Sequence, residues 1–173
     1  MNRQRPLWPF QTIGLNLRYL SKLHLLFWFV SVFGCGACRT SPPWAPANLS
    51  VPGWKIREGQ AVWRPKTEGP EIAGELLVAT HRNGEVYLQF TKTPLPFVVA
   101  RTTTNRWHIE FVTDHREFSG HGQPPSQFGW LHLARCVAGT VPPSKWHWAT
   151  FPDDHWRLEN RTSGETFEGF LTP

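Results

Sequence analysis

The sequence predicts a mainly β domain, an antiparallel meander with one packed helix, behind an N-terminal targeting segment. Three observations predict it. From Trp54 onward apolar and polar residues alternate with period two, the pattern of half-buried strands. Asn83-Gly84 falls between two such runs, and Asn-Gly is the strongest short hairpin signal. Only after Pro124-Pro125 does the period become helical, with Trp130, Leu133, Ala134 and Val137 at i, i+3, i+4 and i+7.

The elements follow in order. Residues 54–64 carry Trp54, Ile56 and Val62, with Gly59 a candidate bulge. Residues 71–81 place Ile72, Leu76 and Val78 on one side. Residues 85–92 put Val86, Leu88 and Phe90 on one face and Tyr87, Gln89 and Thr91 on the other. Residues 97–103 put Phe97 and Val99 together. Between these two runs stands Thr93-Pro94-Leu95-Pro96. Proline lacks a backbone donor and fixes φ, so this stretch reads as a stiff loop that holds Leu95 outward. In "RWHIEFV" Trp107, Ile109 and Phe111 alternate with His108 and Glu110. "SGHG" (119–122) reads as a flexible turn. Ser126 can cap the start of the helix and Gly139 its end. Residues 155–162 and 165–171, joined by Ser163-Gly164, form a closing hairpin.

The charge is unevenly spread. The net charge is +5, yet Arg3, Arg5, Arg18 and Lys22 precede position 35 with no acidic residue among them. The other 14 Lys/Arg face 13 Asp/Glu, a net of +1, so the rest of the chain makes no global charge case for nucleic acid. A basic segment followed by the apolar run "LHLLFWFVSVFG" (23–34) has the form of a secretory signal. That run is about half the roughly 20 apolar residues a spanning helix needs; a short membrane anchor is the alternative.

"VFGCGACRTSPPW" then places a small residue before a cysteine, as a bacterial lipobox does. Val32-Phe33-Gly34-Cys35 is the preferred register and Cys35-Gly36-Ala37-Cys38 the second. Either cysteine would carry acyl chains, and two or more chains anchor a protein stably. Neither register has Asp after the cysteine, which favours the outer membrane. Cys38 and Cys136 could then pair in an oxidising periplasm, or Cys136 stays a buried thiol in the helix. Residues 39–53 hold four prolines, two serines, an asparagine and a glycine, a tether composition. The expected organisation is a signal peptide (1–34), a lipidated cysteine with tether (35–53) and a β domain (54–173).

Chemistry is hard to find. His108, Glu110, Asp114, His115 and His121 lie close in sequence but without zinc-ligand spacing. There is no G-x-S-x-G and no P-loop. No metal, cofactor or catalytic residue is expected, and a zinc-dependent or hydrolytic enzyme is the least favoured class. The tryptophans say more: 10 are present, and those at 54, 63, 107, 130, 146, 148 and 156 are spread over the strands and helix. They make either an ordinary aromatic core or the lining of a cavity for one apolar ligand.

Four segments together resemble a known family. "VPGWKIREGQAVW" is similar to the opening strand of the outer-membrane lipoprotein receptor family LolB, and more distantly of the periplasmic carrier LolA. "LQFTKTPLPFVVA" resembles its third strand, protruding loop and fourth strand, "PPSQFGWLHLARCVAG" with "VPP" its helix, and "GETFEGFL" its closing strands. The resemblance covers residues 52–171; Trp130 lies early in the helix, whereas the family places tryptophan where Ala134 or Cys136 stands. It implies an incomplete antiparallel β-barrel, a half-barrel closed by the helix around an apolar cavity. That cavity would accept the acyl chains of another lipoprotein, with no cofactor and no chemical step. Val86, Leu88, Phe90, Val99, Trp107, Ile109 and Phe111 are expected on the concave side, facing Trp130 and Leu133 of the helix. Pro94, Leu95 and Pro96 align with the family's membrane-inserting loop. The implied partners are a LolA-like carrier and outer-membrane lipid at the periplasmic face of a Gram-negative bacterium. The residues alone also allow a structural or assembly lipoprotein with a filled core.

Replacing Cys35 with alanine is expected to abolish acylation and move the protein from the membrane to the soluble fraction. Acylation that persists in Cys35→Ala and disappears only in Cys38→Ala would assign the second register.

Overall fold

The computed structural model describes residues 44–173; the targeting segment, Cys35 and Cys38 lie outside the described residues. Within the described residues the compact unit begins at Trp44, ten residues before the first strand. Nine strands and one helix follow: β1 (Trp54–Arg64), β2 (Ile72–His81), β3 (Val86–Lys92), β4 (Leu95–Thr102), β5 (Arg106–Phe111), β6 (Arg116–His121), α1 (Gly129–Val137), β7 (Trp146–Thr150), β8 (His155–Asn160) and β9 (Thr166–Thr172). All strands pair antiparallel in one sheet of order β6-β5-β4-β3-β2-β1-β9-β8-β7. Its edges, β6 and β7, do not pair with each other, so the sheet does not close into a barrel.

The Asn-Gly signal produces its hairpin. His81 N–H donates to Glu85 O at 2.8 Å, Asn83 Oδ1 accepts from Glu85 N–H at 2.9 Å, and Gly84 takes φ +85°. A residue with a Cβ is disfavoured there. Gly59 is not a bulge. The β1–β2 register runs unbroken from Trp54↔His81 to Trp63↔Ile72. Glycine is needed at 59 because an added Cβ would lie 1.9 Å from the Phe170 carbonyl oxygen on β9. Gly169 on β9 faces the Gln60 carbonyl in the same way, at 2.1 Å. The first and last strands thus approach backbone to backbone, which a side chain at either site would prevent.

The register places Ala61, Trp63, Ile72, Leu76, Val78, Val86, Leu88 and Phe90 on one face. On β4 that face belongs to Val98, Ala100 and Thr102, not to Val99. The expected phase fails because a β-bulge shifts the β3–β4 register between Phe90↔Val98 and Thr91↔Pro96. An extra residue on one strand puts two consecutive side chains toward one side, so Phe97 and Val98 both reach the core. Val99 instead pairs with Gln89 and Glu110 on the opposite face. The hairpin is also tighter than the sequence suggests. Its turn is Thr93-Pro94, joined by a cis peptide, while Leu95 and Pro96 already pair with Lys92 and Thr91. Pro96 tolerates this because β5 pairs with β4 only from Val98 onward, so its missing donor faces no partner there. "SGHG" is largely strand too: Ser119, Gly120 and His121 pair with β5 as the end of β6.

The helix starts later than Ser126. Its N-cap is Phe128, with no side-chain cap, and the Ser126 carbonyl accepts from the Trp146 indole at 2.8 Å. Gly139 ends it as expected, at φ +90°: Thr140 N–H donates to Arg135 O at 2.8 Å and Gly139 N–H to Cys136 O at 2.9 Å, a Schellman motif. One buried face was expected, yet only Arg135 and Val137 of its nine residues escape full burial. The helix lies against the sheet on the side of β3, β4 and β5. Its outer side is covered as well, since His132 donates to the Pro125 carbonyl at 3.2 Å and stands 5.8 Å from the Trp146 ring.

Gly59→Ala is expected to lower stability by about 2 kcal/mol or more, since the clash is with backbone and overpacking typically costs 1–3 kcal/mol. Urea denaturation checks this against Val141→Ala, whose site is 86 % exposed and which should stay within about 0.5 kcal/mol of wild type.

Candidate functional site

The concave face and the helix meet around Trp130. Its ring centroid lies 4.7 Å from Phe167, 4.8 Å from Phe90 and 5.4 Å from Trp63. Trp63 in turn stacks on Phe167 at 6.2 Å and meets the edge of Phe97 at 6.0 Å. Of the residues expected at the cavity, Val86, Leu88, Phe90, Trp107 and Ile109 join Trp130 and Leu133 in one buried cluster. Phe111 lies on the same face at its margin, half-buried, and Val99 lies outside. Sequence reasoning did not place Val98, Ala100, Leu131, Phe167 and Trp146 there, and they belong to the same cluster. The alternation Phe167-Gly169-Leu171 was the available signal for β9; Val98 was hidden by the bulge. Leu88, Phe90, Val98, Ile109 and Leu133 have no exposed surface.

Three indole donors inside it, Trp107 Nε1, Trp130 Nε1 and Trp156 Nε1, have no acceptor among the described residues. A buried donor left unmade costs about 1–3 kcal/mol. The Trp63 indole is satisfied, donating to Glu165 Oε1 at 2.9 Å. Burial pushes the Glu165 carboxyl up to about 7, against the opposing pull of the Trp63 hydrogen bond. Cys136 is a buried free thiol, pushed up to about 12 by burial. His132 is held below its ordinary value by burial, partly offset by its bond to Pro125.

Outside, Leu95 is 64 % exposed and Phe151, in the β7–β8 turn, 53 % exposed. Lys92, the strand partner of Leu95, and Phe151 both line an open groove of about 840 Å³. The groove crosses β2, β1, β9 and β8 and is lined largely by residues of the face away from the helix, such as Gln60, Val62, Glu75 and Phe170. Among the described residues no three His, Cys, Asp or Glu side chains converge as a metal site, and no helix is long and apolar enough to cross a membrane. No protein-family model matches the chain, and no curated protein sequence matches it.

Glu165 gives a pH dependence of defined sign. Its folded pKa of about 7 lies above the ordinary 4.5, so the folded state holds the proton more tightly than the unfolded chain. Its contribution to stability is complete below about pH 4.5 and is lost as pH rises through about 7. Glu165→Gln, which keeps an acceptor for Trp63, is expected to flatten that fall and to be the more stable form above pH 7. Urea midpoints at pH 5 and pH 8 for both proteins check it.

Proposed function

We propose that this protein is a lipid-anchored receptor that takes the acyl chains of lipoproteins into its aromatic interior and passes them to the outer membrane. The observation that carries the reading is the β3–β4 hairpin, which extends past β5 and presents Leu95, 64 % exposed, between two prolines. An exposed leucine on a proline-stiffened tip loses little entropy on entering a lipid surface, and its burial is worth about 1–2 kcal/mol. Further support comes from the sheet wrapped on one helix and from the orphaned indoles. An acyl chain in that interior would bring ester or amide carbonyls as acceptors for Trp107, Trp130 and Trp156. Cargo would come from a soluble LolA-like carrier, and differential affinity among carrier, receptor and bilayer would set its direction. No cofactor or catalytic group takes part.

The burial of these side chains bears on how loading works: those around Trp130 would move aside, with α1 as the covering element. The same observation favours the second reading, a structural or assembly lipoprotein whose aromatic core is simply packed. Displacement of a fluorescent fatty acid separates the two, since a permanently packed core binds none.

Leu95→Glu is expected to leave fatty-acid binding and the melting temperature unchanged while abolishing delivery of a labelled lipoprotein to liposomes. A charge opposes entry into the lipid boundary where leucine is favoured. Equal delivery by both proteins would remove Leu95 from the mechanism. A melting temperature lowered by many degrees would make it a structural residue.

A further inference from the structure

The tether composition around Trp44 gives no hint that this residue is bound, yet it is. On the outer face of β4 and β5 the Arg101 guanidinium lies 4.7 Å from the Trp44 ring centroid, Arg106 lies 5.0 Å away, and the His108 ring 6.0 Å. Arg101 also donates to the Ala45 carbonyl and pairs with Glu85. Two cations over one indole, joined by a backbone hydrogen bond, hold an aromatic side chain in place. Three polar atoms buried at this contact, Trp44 Nε1, Arg101 Nε and His108 Nδ1, have no hydrogen-bond partner among the described residues. Unsatisfied groups work against the attraction, and release of the segment to water would satisfy them.

We propose that the Arg101–Arg106–His108 surface is a releasable clamp for the chain's own proline-rich tether, with Trp44 as the plug. The consequence rests on the reading that the chain is anchored at Cys35. From Cys35 the sequence runs nine residue steps to Trp44 and nineteen to Trp54. At about 3.5 Å per step the clamp cuts the longest possible reach from about 65 Å to about 30 Å. The clamp grips β4 at its Arg101 end, and Leu95 stands six residues away at the other, a distance of about 20 Å along a strand. A clamped tether therefore keeps the anchor within a reach that still exceeds the distance from clamp to Leu95, so the hairpin can meet the bilayer. An unclamped one lets the domain swing clear.

Hydrogen–deuterium exchange on the full chain in lipid nanodiscs tests this, with Trp44→Ala and Arg106→Gln as variants. In wild type the amides of Ser50 and Val51, which are hydrogen-bonded to Asn48, should be protected. Trp44→Ala should speed their exchange at least tenfold and Arg106→Gln several-fold, with β-strand protection unchanged in both. Exchange of these two amides as fast in wild type as in Trp44→Ala overturns the clamp; Arg106→Gln decides the matter if Trp44→Ala fails to fold. Unlipidated Cys35→Ala should keep the wild-type protection of Ser50 and Val51. If Cys35→Ala stays at the membrane, the anchor at Cys35 fails, while the clamp still stands or falls on the Trp44 and Arg106 variants.

Discussion

Trp130 enters the concave face of the sheet between Phe90, Trp63 and Phe167, residues of β3, β1 and β9. A side chain of this size buries roughly 150–250 Å², and here it is 1 % exposed. For one indole to touch strands on both sides of β1, the sheet must curl around it. The curl in turn requires β1 and β9 to approach without side chains between them, which Gly59 and Gly169 permit. The helix carrying Trp130 must then sit inside the curve, and that is why almost every position on it is buried, polar His132 included. Removing bulk from the strands and adding it on the helix are two halves of one packing solution.

Most of this was legible where a residue's neighbours in sequence are also its neighbours in space. β1 to β5, β8 and β9 follow from alternation because each pairs with an adjacent run through a short turn. β6 and β7 were not legible. Each is an edge strand of five or six residues, and β6 sends only Phe118 into the core cluster. Too few alternating positions remain to set a period. Val99 was misplaced for a different reason: counting by twos cannot detect a bulge, which is defined by the partner strand. Ser126 was misread because Ser followed by an apolar run is a capping pattern, whereas its carbonyl is committed to Trp146.

The candidate site divides along the same line. The exposure of Leu95 was legible because proline chemistry is local. The closure of the interior by Phe167 and Trp146, and the capture of Trp44 by two arginines, were not. Those contacts join residues far apart in the chain, and composition alone marks Trp44 as linker. Glu165 shows the limit most clearly: at the start of a predicted strand it carries no local signal of burial, and only the fold brings the Trp63 indole to it and removes its water.

The central position of the β1–β9 pair bears on how the chain folds. Glu58 pairs with Thr172, so the first strand in the sequence has its second neighbour only in the last. Until β9 arrives, β1 is an exposed sheet edge, open to pairing with another chain. Pairings across so long a stretch of sequence are slow to form, because the entropy of closing the loop must be overcome before the contact stabilises anything. Loss of the C-terminal strand would therefore split the sheet through its middle, where loss of β6 or β7 would only trim a margin. The domain is built so that it is not half-folded for want of an edge; it is unfinished at its centre until its final strand is in place.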